Sequence, residues 1–372
     1  MTIMPTTAQG SGGRLRAVVA FLSLSLAPAC DRMQATLGQP PDEEDAPHAV
    51  ANGDASPSGR REFGDTSARL WKTVWRQDGN DSRSALLYPI ALVASRSGVY
   101  VLDAATGRVT KYDIATGQRS WSYPDSSSKE PRTNAVSLAL DAKDNVVLLG
   151  RQPGRITTLD GRGALIRSVR LPAALDASSV CPRSDGRLLL GLEGNDMPLA
   201  TVGSNGETQR MTVLRLPWPP LADGARIGRQ FRLISAQPGD HCALTVSTGL
   251  GFVDASHLYP SATHEYVEPL GLPRTRVTVD STPSRVKRVE EVLDHRLAAQ
   301  PGTIDGGSLI LPFEGLTPLH GRLIDLYAWP SGAYQRSLVF PSRAAAVARV
   351  GDTYFVLTQR RGAPVLIAAR HP

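Results

Sequence analysis

The sequence predicts an all-β protein, a six-bladed β-propeller closed by an N-terminal strand and carrying one helical insertion. Between residues 83 and 372, six short turn sequences are each followed at once by an apolar run. The units between them have the length of propeller blades. The composition agrees, because 34 Gly and 28 Pro residues suit many short strands joined by tight turns. The six turn sequences are Ser97-Gly98, Asp144-Asn145, Asp185-Gly186, Gly239-Asp240, Asp305-Gly306-Gly307 and Gly351-Asp352.

The first two units repeat one another closely. Val99 aligns with Val146, and Gly107 with Gly154, without a gap between them. Each unit predicts four strands, with tight turns after the first and third strands and a Gly-containing loop after the second. The alternative is a generic all-β sandwich with coincidental spacing. A wider interval between the fourth and fifth turn sequences predicts an insertion in the fourth unit.

A strand is predicted ahead of the first blade, at residues 70–75. Its sequence, Leu-Trp-Lys-Thr-Val-Trp, has the length and the β-branched and aromatic content of a strand, and it has no other partner. Propellers close by completing the last blade with a strand from the beginning of the chain, which covers an exposed sheet edge. We therefore expect this strand to close the ring.

The insertion is predicted to be an amphipathic helix over residues 284–300. Val286, Val289, Leu293 and Leu297 recur at spacings of three and four, with charged residues between them. Such a helix either covers apolar surface or acts as a lid or docking element, since long insertions in compact repeats are often functional.

The N-terminal region predicts export. Arg14 and Arg16 precede an apolar run over residues 17–26, and small residues follow up to Ala29. A basic segment, a short apolar segment and small residues at the cleavage point are typical of a signal peptide, here residues 1–29. The apolar run is too short for a stable transmembrane helix.

Cys30 directly follows the predicted cleavage point and resembles the lipobox cysteine of bacterial lipoproteins. The resemblance implies that Cys30 is acylated and becomes the first mature residue of a lipoprotein of the cell membrane or outer membrane, facing the periplasm or the exterior. Ala27 and Pro28 stand where that family prefers Leu and Ser or Ala. The alternative is ordinary cleavage after Ala29, which gives a soluble secreted or periplasmic protein.

Residues 30–65 predict a disordered, acidic and Pro-rich tether. Eight acidic residues face three arginines there, a net charge of −5. The predicted propeller, residues 66–372, is then +9. This surplus favours anionic partners, unless the arginines are scattered and simply solvated.

Two internal cysteines, Cys181 and Cys242, lie in adjacent predicted blades. In an oxidising compartment they can form a disulfide. The alternative is a pair of buried free thiols, which strands tolerate well.

Motifs of reaction chemistry are absent from the sequence. It contains no Walker-type phosphate loop, no Cys-x-x-Cys, no His-Glu-x-x-His and no Gly-x-Ser-x-Gly. The seven histidines stand at no metal-ligand spacing. We therefore expect no cofactor, no metal and no nucleic-acid partner. An enzyme remains the alternative, because propellers can take one catalytic residue from each blade.

The first blade carries two family resemblances. Almost the whole of residues 66–372 resembles NHL-type and related six-bladed propellers of bacterial exported proteins. The resemblance is clearest in residues 88–113, with an apolar strand ending in Asp103 and a later strand ending in Tyr112-Asp113. Residues 102–121 resemble the quinone-type repeats of eight-bladed propellers. Since Trp121 is not repeated in later blades, the sequence favours six blades. The six-bladed relatives include lactonases and lyases, which implies the alternative enzyme, one acting on an anionic substrate.

The topology predicts one binding face. Loops between blades and loops joining second to third strands share one face around the channel mouth, where propellers usually bind. Convergent arginines there would bind anions. The candidate ligand-binding residues are Arg132, Asn134, Arg151, Arg296 and Arg343. We predict a non-enzymatic module that binds an envelope protein, an anionic small molecule or a carbohydrate; a sensor domain is a further alternative.

Overall fold

The computed structural model divides the chain into two compact units, residues 1–45 and 46–372, and every residue that it describes lies in the second. The statements below concern the described residues only. They are 70–79, 86–124, 134–151, 154–173, 175–192, 198–213, 231–235, 241–246, 251–256, 263–268, 275–282, 285–292, 299–314 and 319–371. The predicted signal peptide, Cys30 and the tether lie outside them.

The described strands form six antiparallel sheets of four strands, the blades, and one separate hairpin. The first strand in the chain is β1 (Lys72–Asp78), which belongs to the last blade. Blade 1 comprises β2 (Pro89–Ser95), β3 (Gly98–Asp103), β4 (Arg108–Tyr112) and β5 (Arg119–Tyr123). Blade 2 comprises β6 (Ala135–Leu140), β7 (Val146–Gly150), β8 (Arg155–Leu159) and β9 (Leu165–Arg170). Blade 3 comprises β10 (Ala177–Pro182), β11 (Leu188–Leu192), β12 (Pro198–Val202) and β13 (Thr208–Val213).

Blade 4 comprises β14 (Phe231–Ser235), β15 (Cys242–Val246), β16 (Gly251–Asp254) and β17 (Thr263–Glu265). The hairpin comprises β18 (Thr275–Thr282) and β19 (Arg285–Val292). Blade 5 comprises β20 (Thr303–Asp305), β21 (Ser308–Phe313), β22 (Leu323–Ala328) and β23 (Tyr334–Val339). Blade 6 comprises β24 (Ala346–Val350), β25 (Thr353–Arg360), β26 (Ala363–Arg370) and β1.

The blades form a closed ring. The first strand of each blade contacts the first strand of the next, and β24 of blade 6 contacts β2 of blade 1. This arrangement confirms the six-bladed propeller and excludes the sandwich. It also explains the strand sequences: second strands such as β3 and β21 are buried along their whole length, because neighbouring blades cover both faces. The outermost strands β5 and β9 are largely exposed or half-buried.

The N-terminal strand closes the ring, as predicted, although it covers 72–78 rather than 70–75. β1 pairs antiparallel with β26 and completes blade 6. Trp71 donates from its indole nitrogen to the carbonyl of Val339 in blade 5, at 2.7 Å. Trp75 donates to the carbonyl of Ile114 in blade 1, at 2.9 Å. The closing segment therefore binds both neighbours of its own blade.

The predicted helix over residues 284–300 is wrong. Residues 285–292 form β19, which pairs along its whole length with β18. Five of the eight residues of β18 are Thr or Val, and β19 contributes three further valines, so β-branched residues dominate the pair and favour strands. The three-and-four spacing on which the helix prediction rested is also compatible with a strand that has no strict alternation. The described residues include no helix with the length and apolar character that crossing a membrane requires.

A repeated contact joins neighbouring blades through their outermost strands. The indole nitrogen of Trp121 donates to the carbonyl of Gly161 in the next blade, at 3.1 Å, as Trp75 does to Ile114. Arg167 of blade 2 makes the equivalent bond to the carbonyl of Ser204 in blade 3, also at 3.1 Å. The tryptophan of blade 1 therefore does recur, in the strand that comes first in the chain.

Glycines in the facing turns make room for these rings. Gly117 and Gly163 both have positive φ angles, 71° and 84°. A Cβ atom on Gly117 would lie 2.6 Å from the ring of Trp75, and one on Gly163 would lie 2.8 Å from the ring of Trp121. Backbone conformation and contact both require glycine at these two positions.

At the junction of blades 4 and 5 a histidine takes the place of the tryptophan. His264 lies against Gly332 and its ring centroid is 5.2 Å from that of Phe252. Burial lowers the pKa of His264, while Asp254 and the carbonyl of Pro330 act in the opposite direction. The imidazole is therefore favoured in its neutral form, as a packing group.

A disulfide links blades 3 and 4. Cys181 in β10 and Cys242 in β15 are both fully buried and are joined by an S–S bond of 2.04 Å. It bridges a sequence separation of 61 residues. The bond adds a covalent connection to a junction where Arg183 also donates a hydrogen bond to the carbonyl of Ser256.

Candidate functional site

The antiparallel blades define two faces of the ring. The mouth face carries the segments that enter each first strand and the turns between second and third strands. The first-turn face carries the turns between first and second strands and those between third and fourth strands. The sequence predicts that the ligand-binding residues lie on the mouth face. Arg132 and Arg296 lie outside the described residues, so the structure places Asn134, Arg151 and Arg343.

An apolar pair projects from the mouth face of blade 1. Leu87 is 59% exposed and Tyr88 is 37% exposed, directly before β2. The backbone N–H groups of both residues donate to one oxygen of Asp103, at 2.6 and 2.8 Å. The other Asp103 oxygen accepts from the N–H of Thr106, at 2.9 Å. Because Asp103 is buried at the end of β3, it fixes both chain segments and holds the two apolar residues in place.

An ion pair spans blades 2 and 3 on the same face. The guanidinium of Arg151, at the end of β7, binds both carboxylate oxygens of Asp176, at 3.0 and 3.2 Å. The N–H of Arg151 also donates to the carbonyl of Asn134, at 2.9 Å. Two of the predicted residues are therefore adjacent, and the arginine already has a carboxylate partner.

A second carboxylate binds the predicted Arg343. Glu314, at the end of β21, is 7% exposed, and its Oε1 lies 2.5 Å from Arg343 Nη2. Gln300 donates to Oε2 of Glu314 at 3.2 Å. His320 Nε2 lies 3.2 Å from Arg343 Nη2 and 3.9 Å from Glu314 Oε1. This cluster connects blades 5 and 6, and the arginine neutralises the buried carboxylate within it.

The first strands, which surround the channel, carry few charges. Among their described side chains the charged ones are Asp305 and Arg349, and the Arg349 Nε binds an Asp305 oxygen at 2.9 Å. Burial alone would lower the pKa of Arg349, but hydrogen bonds to Asp305 and Tyr354 and their charges raise it above its ordinary value. The other residues of these strands are apolar, proline, Ser or Thr, except that β14 also contains Arg232.

The described mouth therefore combines fixed ion pairs with one exposed apolar pair. An anion would have to compete with Asp176 for Arg151 and with Glu314 for Arg343. In the parts of the chain described, no group of three or more His, Cys, Asp or Glu residues could hold a metal ion. An exposed apolar pair with polar groups around it has the composition of a surface that contacts another macromolecule.

Sequence reasoning missed the apolar pair and its support. The available indication was Asp103, an acidic residue that ends an apolar strand and is followed three residues later by Thr106. That spacing lets one carboxylate cap a turn. The strand register explains why the Asp103 carboxylate also binds the segment before β2, because Pro89, the first residue of that strand, pairs with Asp103.

Comparison with known proteins gives one match to a family model and many solved structures with a similar fold. Residues 55–207, which include β1 and blades 1 and 2, match a family model described as "Outer membrane protein assembly factor BamB". The match covers the stretch that resembles quinone-type repeats. By sequence, no curated protein matches the chain.

Solved structures are similar in fold. A Bacteroides fragilis protein described as exported has a TM-score of 0.51 and 11% identity, covering 84% of this chain and 99% of that one. Virginiamycin B lyase from Staphylococcus aureus has a TM-score of 0.50 and 10% identity, covering 81% and 99%. BamB from Moraxella catarrhalis has a TM-score of 0.41 and 12% identity, covering 81% and 97%. At these identities the first two similarities concern the propeller fold alone.

Proposed function

We propose that this chain is an exported, acyl-anchored propeller that binds a protein of the cell envelope at its mouth face and catalyses no reaction. The observation that carries the proposal is the pair Leu87 and Tyr88, held by Asp103 in an exposed position. Exposed apolar side chains on fixed backbone are favourable contacts, because little conformational entropy is lost on binding. Tyr and Arg are also enriched in the cores of protein interfaces.

The position of the pair in the ring supports the same function. Leu87 and Tyr88 of blade 1, Asn134 and Arg151 of blade 2 and Asp176 of blade 3 follow one another around one face. All five belong to the stretch that matches the BamB family model, whose description names a protein assembly factor. In this proposal the predicted residues form the polar rim of a protein interface. Arg132, Asn134, Arg151, Arg296 and Arg343 are these rim residues.

In-cell photo-crosslinking tests the binding face. A photo-reactive residue at position 87 is expected to give a discrete crosslinked product with an envelope protein, since the side chain there is 59% exposed. A photo-reactive residue at position 352 is the matched control, because the Asp352 side chain is 70% exposed on the first-turn face. Equal product from both positions, or none from position 87, would contradict the proposed interface.

The anchor proposal has its own test. If Cys30 is acylated, Cys30→Ser is expected to release the protein from membranes washed with high salt, because the wash weakens contacts with anionic lipid but leaves an acyl anchor in place. Residues 30–65, as a flexible coil, would span roughly 30 to 35 Å between membrane and propeller. An unmodified N-terminus with equal solubility of both forms would refute the anchor while leaving the binding face untouched.

A further inference from the structure

Exposed apolar residues occur on the first-turn side of the ring as well as at the mouth. The described residues include five large apolar side chains that are strongly exposed. Leu87 and Tyr88 lie on the mouth face. The other three, Val74 at 44%, Leu165 at 45% and Ile166 at 53%, lie near the first-turn ends of outermost strands. A second surface therefore exists on the opposite side from the proposed protein interface.

Comparison of the blades singles out Ile166. In five blades the outermost strand contains one extra residue, a β-bulge near the first-turn end of the strand. The bulge residues of blades 1, 3 and 5 are polar, namely Ser120, Gln209 and Gln335. Blade 2 instead has Ile166, preceded by the exposed Leu165, and blade 6 has Val74. The β-bulge therefore carries an apolar residue in blades 6 and 2, the two neighbours of blade 1.

Basic residues without carboxylate partners lie on the same side of blades 1 and 2 as Leu165 and Ile166. Arg119 begins β5, Lys143 lies in the first turn of blade 2 and Arg162 lies in the turn before Leu165, and all three are exposed. No described carboxylate lies within ion-pair distance of them. Elsewhere many arginines are paired, as in Arg151 with Asp176, Arg343 with Glu314 and Arg370 with Asp352.

The neighbouring aspartates offset part of this positive charge, but their carboxylates bind the turns rather than these basic side chains. Asp113 accepts hydrogen bonds from the N–H and hydroxyl of Thr116, both at 2.8 Å. Asp141 accepts from the N–H of Lys143 and Asp160 from the N–H of Arg162, at 2.8 and 2.9 Å. The three basic side chains form no ion pair with these aspartates.

The chain also enters the ring on this side. Lys72, the first residue of β1, faces Arg370 at the end of β26, and Arg370 in turn faces Thr353 beside the turn at Asp352. The first residue of β1 therefore lies at the first-turn face of blade 6.

We propose that the first-turn side of blades 6, 1 and 2 rests on an anionic lipid surface, with Leu165 and Ile166 at its interface and Arg119, Lys143 and Arg162 near the headgroups. Apolar tips flanked by basic residues bind such surfaces through buried apolar area plus attraction to anionic lipid. In this orientation the mouth face points away from the membrane, toward its protein partner.

Vesicle partitioning tests the proposal. The full chain carrying Cys30→Ser, and so lacking an acyl group, is mixed with vesicles of phosphatidylethanolamine and phosphatidylglycerol, or of phosphatidylcholine alone. Leu165→Ser with Ile166→Ser is expected to lower the partition coefficient for the anionic vesicles about tenfold. Changing Arg119, Lys143 and Arg162 to Gln is expected to lower it by at least tenfold and to remove the preference for anionic lipid, since each basic group contributes roughly fivefold.

The control is a variant of the opposite face. Leu87→Ser with Arg360→Gln removes one exposed leucine and one exposed arginine from the mouth side and is expected to leave partitioning unchanged. All variants share the same N-terminal region, so differences between them report on the propeller, and equal thermal melts establish that each is folded. Unchanged partitioning in the two first-turn variants, or an equal loss in the control, would overturn the proposal.

Two other ligands of this surface are distinguished by the same experiment. Inorganic phosphate at constant ionic strength is expected not to displace the protein from anionic vesicles; displacement would mean that the arginines bind free phosphate instead. If the first-turn variants partition normally but lose an envelope protein that the wild type retains, the surface binds protein and the lipid proposal fails. Both results concern the first-turn face alone. The proposed protein interface on the mouth face is tested independently, by crosslinking at position 87.

Discussion

Deletion of residues 66–76 is expected to lower the free energy of unfolding by several kcal/mol, because it opens the ring. The deletion removes Trp71 and Trp75, each 8% exposed, and breaks their hydrogen bonds to blades 5 and 1. It also exposes the edge of β26. Replacing a buried large aromatic residue by alanine typically costs about 3–5 kcal/mol, so Trp71→Ala or Trp75→Ala alone should give a clear loss.

Thermal or urea unfolding measures this effect. Deletion of residues 31–60, in the predicted tether, is the control and is expected to leave the unfolding midpoint nearly unchanged. Trp75→Phe separates packing from hydrogen bonding, since it keeps an aromatic ring but removes the donor to Ile114. If the 66–76 deletion unfolds at the same midpoint as the full chain, β1 is not required to close the ring.

Loss of the disulfide is the second large effect. A cross-link between residues 61 positions apart lowers the entropy of the unfolded chain by an amount equivalent to roughly 4 kcal/mol at 25 °C in the chain-entropy description. We therefore expect a reductant to lower the unfolding midpoint of the wild type. Cys181→Ala with Cys242→Ala should melt at the lower temperature with or without reductant.

The double variant also serves as the control for nonspecific effects of the reductant. Both sulfur atoms are fully buried, so complete reduction requires at least local opening, and the mass of the protein verifies the redox state. Identical unfolding midpoints of the oxidised and reduced wild type would show that the disulfide forms but contributes nothing to stability.

Most of the fold could be predicted from turn chemistry. Sequences such as Asp185-Gly186 before a buried strand mark the first turn of each blade, because only a few residues tolerate such turns. The closing strand could be predicted from its lack of another partner. The hairpin of β18 and β19 could not, since the valines of β19 fit a helical spacing and the strand that pairs with them lies outside the window in which periodicity is judged.

The site was less predictable for a physical reason. Sequence reasoning can place a residue in a loop, but the partner of a charged side chain depends on contacts between blades. Arg343 was expected to face a ligand, and it binds Glu314, which lies at the end of a strand in the preceding blade. The exposure of Leu87 likewise depends on Asp103, whose carboxylate fixes a segment sixteen residues earlier in the chain.

The central claim is that the mouth face binds a protein. It is tested most directly by measuring the affinity between the purified chain and the partner that is crosslinked at position 87. Isothermal titration should show that Leu87→Ser with Tyr88→Ser weakens binding at least tenfold, because apolar and aromatic residues at an interface core carry most of the binding energy. Leu165→Ser, on the other side of the ring, should leave the affinity unchanged. Equal affinity of the wild type and the Leu87 and Tyr88 variant would contradict the account.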